Sequence, residues 1–353
     1  MLIIIGFSLL GKYSFASEFN FAVTTVIPEN QVDKDKTYFD IQLEPNEEQN
    51  LEVTLRNDTE KKVKIGISLN SATTNSNGVV EYGKNNLTKD PSLDINIEDY
   101  TSYPESITLM PKSTQTVKFH IKMPNNKFDG IVAGGITFKE IEKEEDSSND
   151  ESQGLSIKNE YSYVVAVLMR QTTNKVDPNL NLVHVKPGQI NARNVILANI
   201  QNDKKTYINQ AHITTKITKK NSEKIIYQEN KDNLQIAPNT NFSFPTALDG
   251  EALKPGIYHL SMDIYANEDK NGEFLNKNSD KKLRYNNYWK LEKDFRIDNK
   301  VAKELNKKDV TLRKDNTWIY ILIGIILLLL AILLIIWIIW RRKKYEEKDK
   351  DIY

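Results

Sequence analysis

The stretch LEVTLRNDTEKKVKIGI, Leu51 to Ile67, decides the fold. Apolar side chains stand at every second position on either side of a polar turn: Leu51, Val53 and Leu55, then Val63, Ile65 and Ile67. Successive side chains of a strand point to opposite faces, so each run has one apolar face for a core and one polar face for water. Asn57-Asp58 and the Lys-rich run after it make the turn. The segment predicts two half-buried antiparallel strands.

Outward from it the same grammar continues. Phe19, Phe21 and Val23 alternate, as do Phe39, Ile41 and Leu43, then Leu93, Ile95 and Ile97, then Val117, Phe119 and Ile121. FDGIVAGGITF, Phe128 to Phe138, reads as a strand with Gly134-Gly135 at a bend or a close backbone approach. The charged run that follows, including Glu142 to Glu151, reads as a solvated loop. Tyr161, Tyr163, Val165, Val167 and Met169 alternate again and are expected to pair back on the Gly-Gly strand, closing a domain over 17–172. Short strands with no helical segment between them point to a sandwich.

A second domain of the same build is expected over 173–298. VILANIQNDKKTYINQA, Val195 to Ala211, repeats the strand, Asn-Asp, Lys-rich turn, strand order of the opening stretch. Each copy is followed by a Pro-led strand, LMPKSTQTVKFHIKMP in the first domain and QIAPNTNFSFP in the second. Pro255-Gly256 then turns into a strand with Tyr258, Leu260, Met262 and Ile264 on one face. The fold class expected is all-β, two tandem immunoglobulin-like β-sandwiches, each long enough for its own core. Residues 299–317 are polar and basic, with Val301 and Leu305 four apart, and read as a short helix or stalk that tethers.

Trp318 to Trp340 is a run of 23 residues without a charge or a Pro. A bilayer core needs roughly 20 apolar residues as a helix, so 318–340 is expected to span a membrane once. Trp318, Trp337 and Trp340 suit the headgroup levels, and Arg341 and Arg342 open a basic cluster that resists translocation. The tail 341–353 is therefore expected in the cytoplasm. At the other end Leu2 to Leu10 has the length of a signal-peptide core, and Ser14-Phe15-Ala16 offers a cleavage site, so 1–16 reads as a signal peptide. The positive residues usual ahead of such a core are missing: either the signal is atypical or, the reading favoured, the start lies a few codons upstream. Residues VTLRKDNT stand ahead of the span where a wall-sorting signal would carry LPxTG, so the protein is expected to stay in the membrane.

Composition narrows the chemistry. There is no Cys in 353 residues, hence neither a disulfide nor a thiolate metal site. Setting aside Lys12 and the tail's six basic and four acidic residues leaves 41 basic against 44 acidic residues outside, too balanced a field to favour nucleic acid. His120, His184, His212 and His259 are scattered singly among strands, without HExxH or any paired arrangement, and no Gly-rich phosphate loop or GxSxG occurs. No spacing singles out a pair of carboxylates. The expectation is a binding protein, not an enzyme, with no cofactor and no metal. Tyr285, Tyr288 and Trp289 stand out: rings near a surface can stack on sugars or anchor a protein partner, and Trp289 can equally plug the second sandwich.

VIPENQ (Val26 to Gln31), YFDIQLEPNEEQNLEVTLRN, IKMPNNKFDGIVAGGITF, LANIQND, IAPNTNFSF and LKPGIYHL, in that order, resemble the WxL-interacting proteins of Gram-positive bacteria. The likeness runs through both expected domains, the stalk, the span and the tail. It implies a first domain that binds peptidoglycan and a second that associates with WxL-domain surface proteins or host extracellular proteins, with no catalytic residue to carry over. Under that resemblance Gln31, Tyr82, Tyr100 and Tyr103 are the candidate glycan contacts, as polar or aromatic loop residues. Two rival classes follow from the residues alone: a two-domain immunoglobulin-like assembly chaperone that captures a partner strand, and a wall-modifying enzyme.

Overall fold

The computed structural model describes residues 20–141, 161–277, 282–312 and 317–350. The first domain contains β1 (Ala22–Val26), β2 (Phe39–Gln42), β3 (Glu48–Asn57), β4 (Val63–Ser71), β5 (Thr73–Thr74), β6 (Val80–Glu81), β7 (Thr101–Ser102), β8 (Ser106–Leu109), β9 (Ser113–Lys122), β10 (Val132–Glu140) and β11 (Ser162–Arg170). Strands β1-β3-β9-β7 form one sheet and β2-β11-β10-β4-β8 the other. Leu51, Val53, Leu55, Val117, Phe119 and Ile121 from the first sheet meet Ile65, Ile67, Ile136, Phe138, Val167 and Met169 from the second in one buried cluster. The inward members of the alternating runs make that core, as the period requires. Strand β11 pairs antiparallel with β10, Gly135 opposite Ala166, as expected. Its other edge pairs parallel with β2, where Arg170 donates from Nε and Nη2 to the two carboxylate oxygens of Asp40 at 2.9 and 2.8 Å.

Two expectations in this half need correction or completion. Leu93, Ile95 and Ile97 do not form a strand: the segment crosses the molecule in an irregular path ending in a 3-10 helix, Ile97–Tyr100. The apolar residues are still buried, because Ile97 lies under Gly134, where a β-carbon would come within 2.6 Å of its Cγ2. On the other face of β10, a β-carbon at Gly135 would sit 2.5 Å from Cβ of Tyr82. The Gly-Gly pair thus admits a chain crossing on each face of one strand. The proposed acidic loop, Glu142 to Glu151, lies outside the described residues, as does the proposed signal peptide 1–16.

The second domain contains β12 (Asn181–Ile190), β13 (Arg193–Asn202), β14 (Ile208–Lys219), β15 (Ile225–Ile236), β16 (Thr240–Ala247), β17 (Gly256–Glu268), β18 (Phe274–Leu275) and β19 (Arg284–Ile297). Strands β12-β13-β16 face β15-β14-β17-β19-β18. Tyr258, Leu260, Met262 and Ile264 do share one buried face, packed with Ile196, Ile200, Phe242 and Phe244 from the opposite sheet. The architecture is two tandem immunoglobulin-like β-sandwiches.

The helix α1 (Asn299–Lys308) occupies the first part of the expected stalk, but it is docked. Ala302 is buried and Leu305 packs on the second core. The carbonyl of Leu305 accepts from Gln189 Nε2 at 2.9 Å, Asn306 bridges Asn194 and Leu253, and Asp309 accepts the Asn194 N–H at 2.6 Å. Beyond it α2 (Thr317–Lys350) runs through the expected span and onward into the expected tail. Its segment Ile321–Ile339 is long and apolar enough to cross a membrane, and none of the other described residues covers it.

The two sandwiches touch over an extensive seam that sequence patterning did not reveal. Ala72, Ala133 and Leu168 of the first domain bury Ala237 of the second, flanked by Tyr82 and Tyr207, whose hydroxyls are 3.1 Å apart. The Thr74 hydroxyl accepts the Ala237 N–H at 3.0 Å, the Gln235 N–H reaches the Gly78 carbonyl at 2.8 Å and the Ile131 N–H reaches the Lys205 carbonyl at 2.7 Å. Asp90 is the polar centre: it accepts from the Ser92 N–H, from Gln201 Nε2 at 2.9 Å and from Asn241 Nδ2 at 2.6 Å. Lys205 donates to Asp94 at 2.8 Å at its rim.

Candidate functional site

Two surface concavities hold residues singled out in the sequence, one in each domain. In the first, the VIPENQ turn and the chain after β2 enclose an open groove of ≈ 450 Å³ lined by Asn30, Gln31, Val32, Gln42, Glu44, Glu47 and Thr173 among others. Gln31 is 5% exposed and its amide serves the fold: Nε2 donates to the Tyr38 carbonyl at 2.8 Å and Oε1 accepts the Asp40 N–H at 2.9 Å. It therefore forms the groove's floor and fixes the turn that places Asn30 and Val32. Asn30 and Gln49 exchange two 2.9 Å bonds across the wall. Glu44, Glu47 and Thr173 face water. The groove offers carboxylates and amides at close spacing to a ligand rich in hydroxyl and amide groups.

The three first-domain tyrosines are placed elsewhere. Tyr82 lies in the seam, where burial raises its hydroxyl pKa. Tyr100 packs on the first core, and Tyr103 stacks beside Phe119 at 5.6 Å while its hydroxyl accepts the Leu69 N–H at 3.0 Å. The structure does not gather them with Gln31 into one patch.

In the second domain the structure divides the expected cluster: Tyr285 and Tyr288 both pack on Tyr265, and Trp289 leaves them. Across β17 and β19, Tyr265 stands opposite Tyr288 and Ile264 opposite Trp289. Alternation then sends two of the three expected aromatics to opposite faces: Trp289 packs on the inner core, whereas Tyr288 joins the outer face. There Tyr288 lies 4.8 Å from the ring of Tyr265 and 5.8 Å from Phe274 on β18, with Tyr285, itself buried, behind Tyr265 at 5.8 Å. The rings of Tyr265, Phe274 and Tyr288, with Asp263, Glu273, Leu275 and Lys277, line an open pocket of ≈ 480 Å³. The Tyr288 hydroxyl donates to Asp263 Oδ1 at 2.7 Å. Burial, that bond and the carboxylate charge together hold the phenol strongly protonated. Sequence reading missed Tyr265 and Phe274; the pairing of β17, β18 and β19 gathers them from separate stretches.

The histidines sit singly. His120 contacts Asn50 and Glu48, His259 bonds Asp294 at 2.7 Å, and His212 is buried against Asp232.

Residues 21–140 match the peptidoglycan binding domain of the WxL Interacting Protein, and residues 152–307 match its host binding domain. The chain belongs to the WxL-interacting protein family. The second match begins ahead of β11, a strand that in three dimensions completes the first sandwich, and it ends within α1, in keeping with that helix being part of the second domain. No curated protein matches the chain. Among solved structures it is similar to a chain of the CsuC-CsuE chaperone-tip adhesion subunit pre-assembly complex of Acinetobacter baumannii, at 11% identity and a TM-score of 0.32 over 71% of this chain and 94% of that one. It is also similar to the YadV chaperone, at 10% identity and a TM-score of 0.30 over 79% and 100% of the two chains. The E. coli chaperone DraB aligns at 13% identity and a TM-score of 0.26, over 79% of this chain and 98% of its own.

Proposed function

We propose that this family member is a single-pass protein of a Gram-positive cell surface. Its first sandwich attaches to peptidoglycan, and its second presents a binding face to WxL-domain surface proteins or host ligands. The observation that carries this reading is the order along one chain: a peptidoglycan binding domain match, a host binding domain match, then a helix apolar enough to span. The basic cluster from Arg341 supports a cytoplasmic tail with both sandwiches outside, and the apolar run Leu2 to Leu10 supports export by a cleaved signal.

The groove floored by Gln31 is the glycan or stem-peptide site of this reading, with Asn30, Gln42, Glu44 and Glu47 as its hydrogen-bonding wall. The outer pocket of Tyr265, Phe274 and Tyr288 is the partner site. Because the seam joins the domains through both backbone and side chains, the two sites are held at a set separation. Tethering raises effective concentration, so each contact can be weak and the assembly still hold. Sedimentation of the detergent-solubilised chain with insoluble peptidoglycan tests the first half: retention in the pellet is expected, and equal amounts unbound with and without wall overturn it.

A further inference from the structure

The pocket on the outer face of the second domain has a definite chemical preference. Its walls present the rings of Tyr265, Phe274 and Tyr288, whose centroids lie 4.8 and 5.8 Å from the central Tyr288. Two carboxylates, Asp263 and Glu273, open into the same space. Among the described residues neither has a basic partner within ion-pair distance. Lys290, opposite Asp263 across the strands, is bonded to Glu292 at 2.6 Å and reaches Asp263 only through a weaker charge interaction, and Arg284 donates to the backbone carbonyls of Gly272 and Glu273. Lys277 also lines the pocket, which leaves an excess of one negative charge on the wall. Asp263 Oδ1 is held by the Tyr288 hydroxyl, so the carboxylate is oriented before any ligand arrives.

Aromatic faces carry negative potential and attract a cation lying over them, most strongly when desolvated. The wall's excess negative charge adds to that field, and a planar guanidinium can stack and pair at once. A neutral sugar uses the rings but leaves the wall's excess negative charge uncompensated, and an anion is repelled by every wall but Lys277.

We propose that this pocket takes a cationic side chain, an arginine guanidinium or a lysine ammonium, presented by the protein partner of the second domain; the proposal rests on the partner-binding reading above. The arginine or lysine lies over Tyr288, flanked by Tyr265 and Phe274, and pairs with Asp263.

The test uses the full-length chain, labelled with 3-fluorotyrosine, in micelles of an uncharged detergent. The Tyr288 fluorine resonance is assigned by its loss in Tyr288→Phe. Acetyl-Gly-Arg-Gly-amide is expected to shift that resonance saturably, and the norleucine analogue is not. Asp263→Asn is expected to weaken the response about tenfold and Glu273→Gln about threefold, with the remaining tyrosine resonances unmoved as a check on folding. An equal response to norleucine, or no saturable response to arginine, overturns the proposal. A response to an amine-bearing muramyl peptide but not to the arginine peptide overturns the assignment to a protein partner. Capture of a WxL-domain protein is scored separately: its absence despite arginine binding supports the pocket's chemistry and overturns the partner reading.

Discussion

Asn57 and Asn202 occupy equivalent positions in the two sandwiches and make the same set of bonds. Both are fully buried. Asn57 Nδ2 donates to the Lys61 carbonyl at 2.7 Å and the Met110 carbonyl at 2.9 Å, and its Oδ1 accepts the Thr59 N–H at 2.8 Å. Asn202 donates to the Thr206 and Ala237 carbonyls at 2.8 and 2.9 Å and accepts the Lys204 N–H at 3.1 Å. Met110 and Ala237 each precede a proline, and the residue after that proline, Lys112 or Asn239, has positive φ and bonds back to Thr59 or Lys204 at 3.1 Å. The repeat visible as Asn-Asp and a Pro-led strand is therefore a structural plug that ties one turn to another. It differs in what lies beyond: in the second domain the plugged end is seated on the first, with Asn239 donating to the Ser92 carbonyl at 2.9 Å, while the equivalent end of the first domain faces solvent.

Removing either plug leaves buried backbone groups without partners. Asn57→Ala and Asn202→Ala are each expected to destabilise the protein by about 2–4 kcal/mol in urea denaturation. Asn202→Ala is expected in addition to loosen the seam, seen as earlier proteolysis between the domains. Equal proteolysis of the two variants counts against the seam's dependence on Asn202.

Gly130 has φ +90, and a β-carbon there would lie 2.3 Å from the Lys205 carbonyl oxygen across the seam. A backbone atom cannot give way as a side chain does. Gly130→Ala is therefore expected to part the domains, raising the radius of gyration in solution scattering. Gly78→Ala is expected to act in the same direction, since its φ is +70 and a β-carbon there would meet Leu234 as far back as its Cβ, at 2.8 Å. An unchanged radius for Gly130→Ala defeats this.

Burial pushes the Asp90 carboxyl up, but the bonds from Ser92, Asn241 and Gln201 outweigh it and hold its pKa below the usual value of 3.8. The stability this gives is present above that value and is lost as pH falls below it toward the folded-state pKa. Domain coupling, measured by the coincidence of the two unfolding transitions, is expected to weaken in that acid window. Asp90→Asn is expected to be weakly coupled at neutral pH and nearly indifferent to acid.

Gln31 and Glu44 line one groove with different duties. Gln31→Ala is expected to cost about 1–3 kcal/mol of stability, because the Asp40 N–H and Tyr38 carbonyl lose their partner. Glu44→Ala is expected to leave the melting temperature unchanged and to reduce retention on peptidoglycan several-fold. A Glu44→Ala protein that pellets like the parent removes the groove from the reading.

The strand pattern, the two-domain count and the apolar helix were all legible along the chain, because period-two alternation and a run of charge-free residues are local signals that burial obeys. Even Gly134-Gly135 announced a close approach, though not what approaches. Ile97 shows the limit: its alternation with Ile95 was real, but burial under Gly134 came from a 3-10 turn in a crossing segment, and apolar spacing alone does not separate the two.

By itself the sequence determined which residues face inward, where the turns fall and which segment is too apolar for water. Those follow from solvation and backbone geometry over a few residues at a time. Only the tertiary structure decided that Tyr82 lies in the seam, that α1 is docked, and that Tyr288 meets Tyr265 and Phe274 while its neighbour Trp289 turns inward. Each depends on strand register and on the packing of segments distant in sequence, which no short window of residues contains.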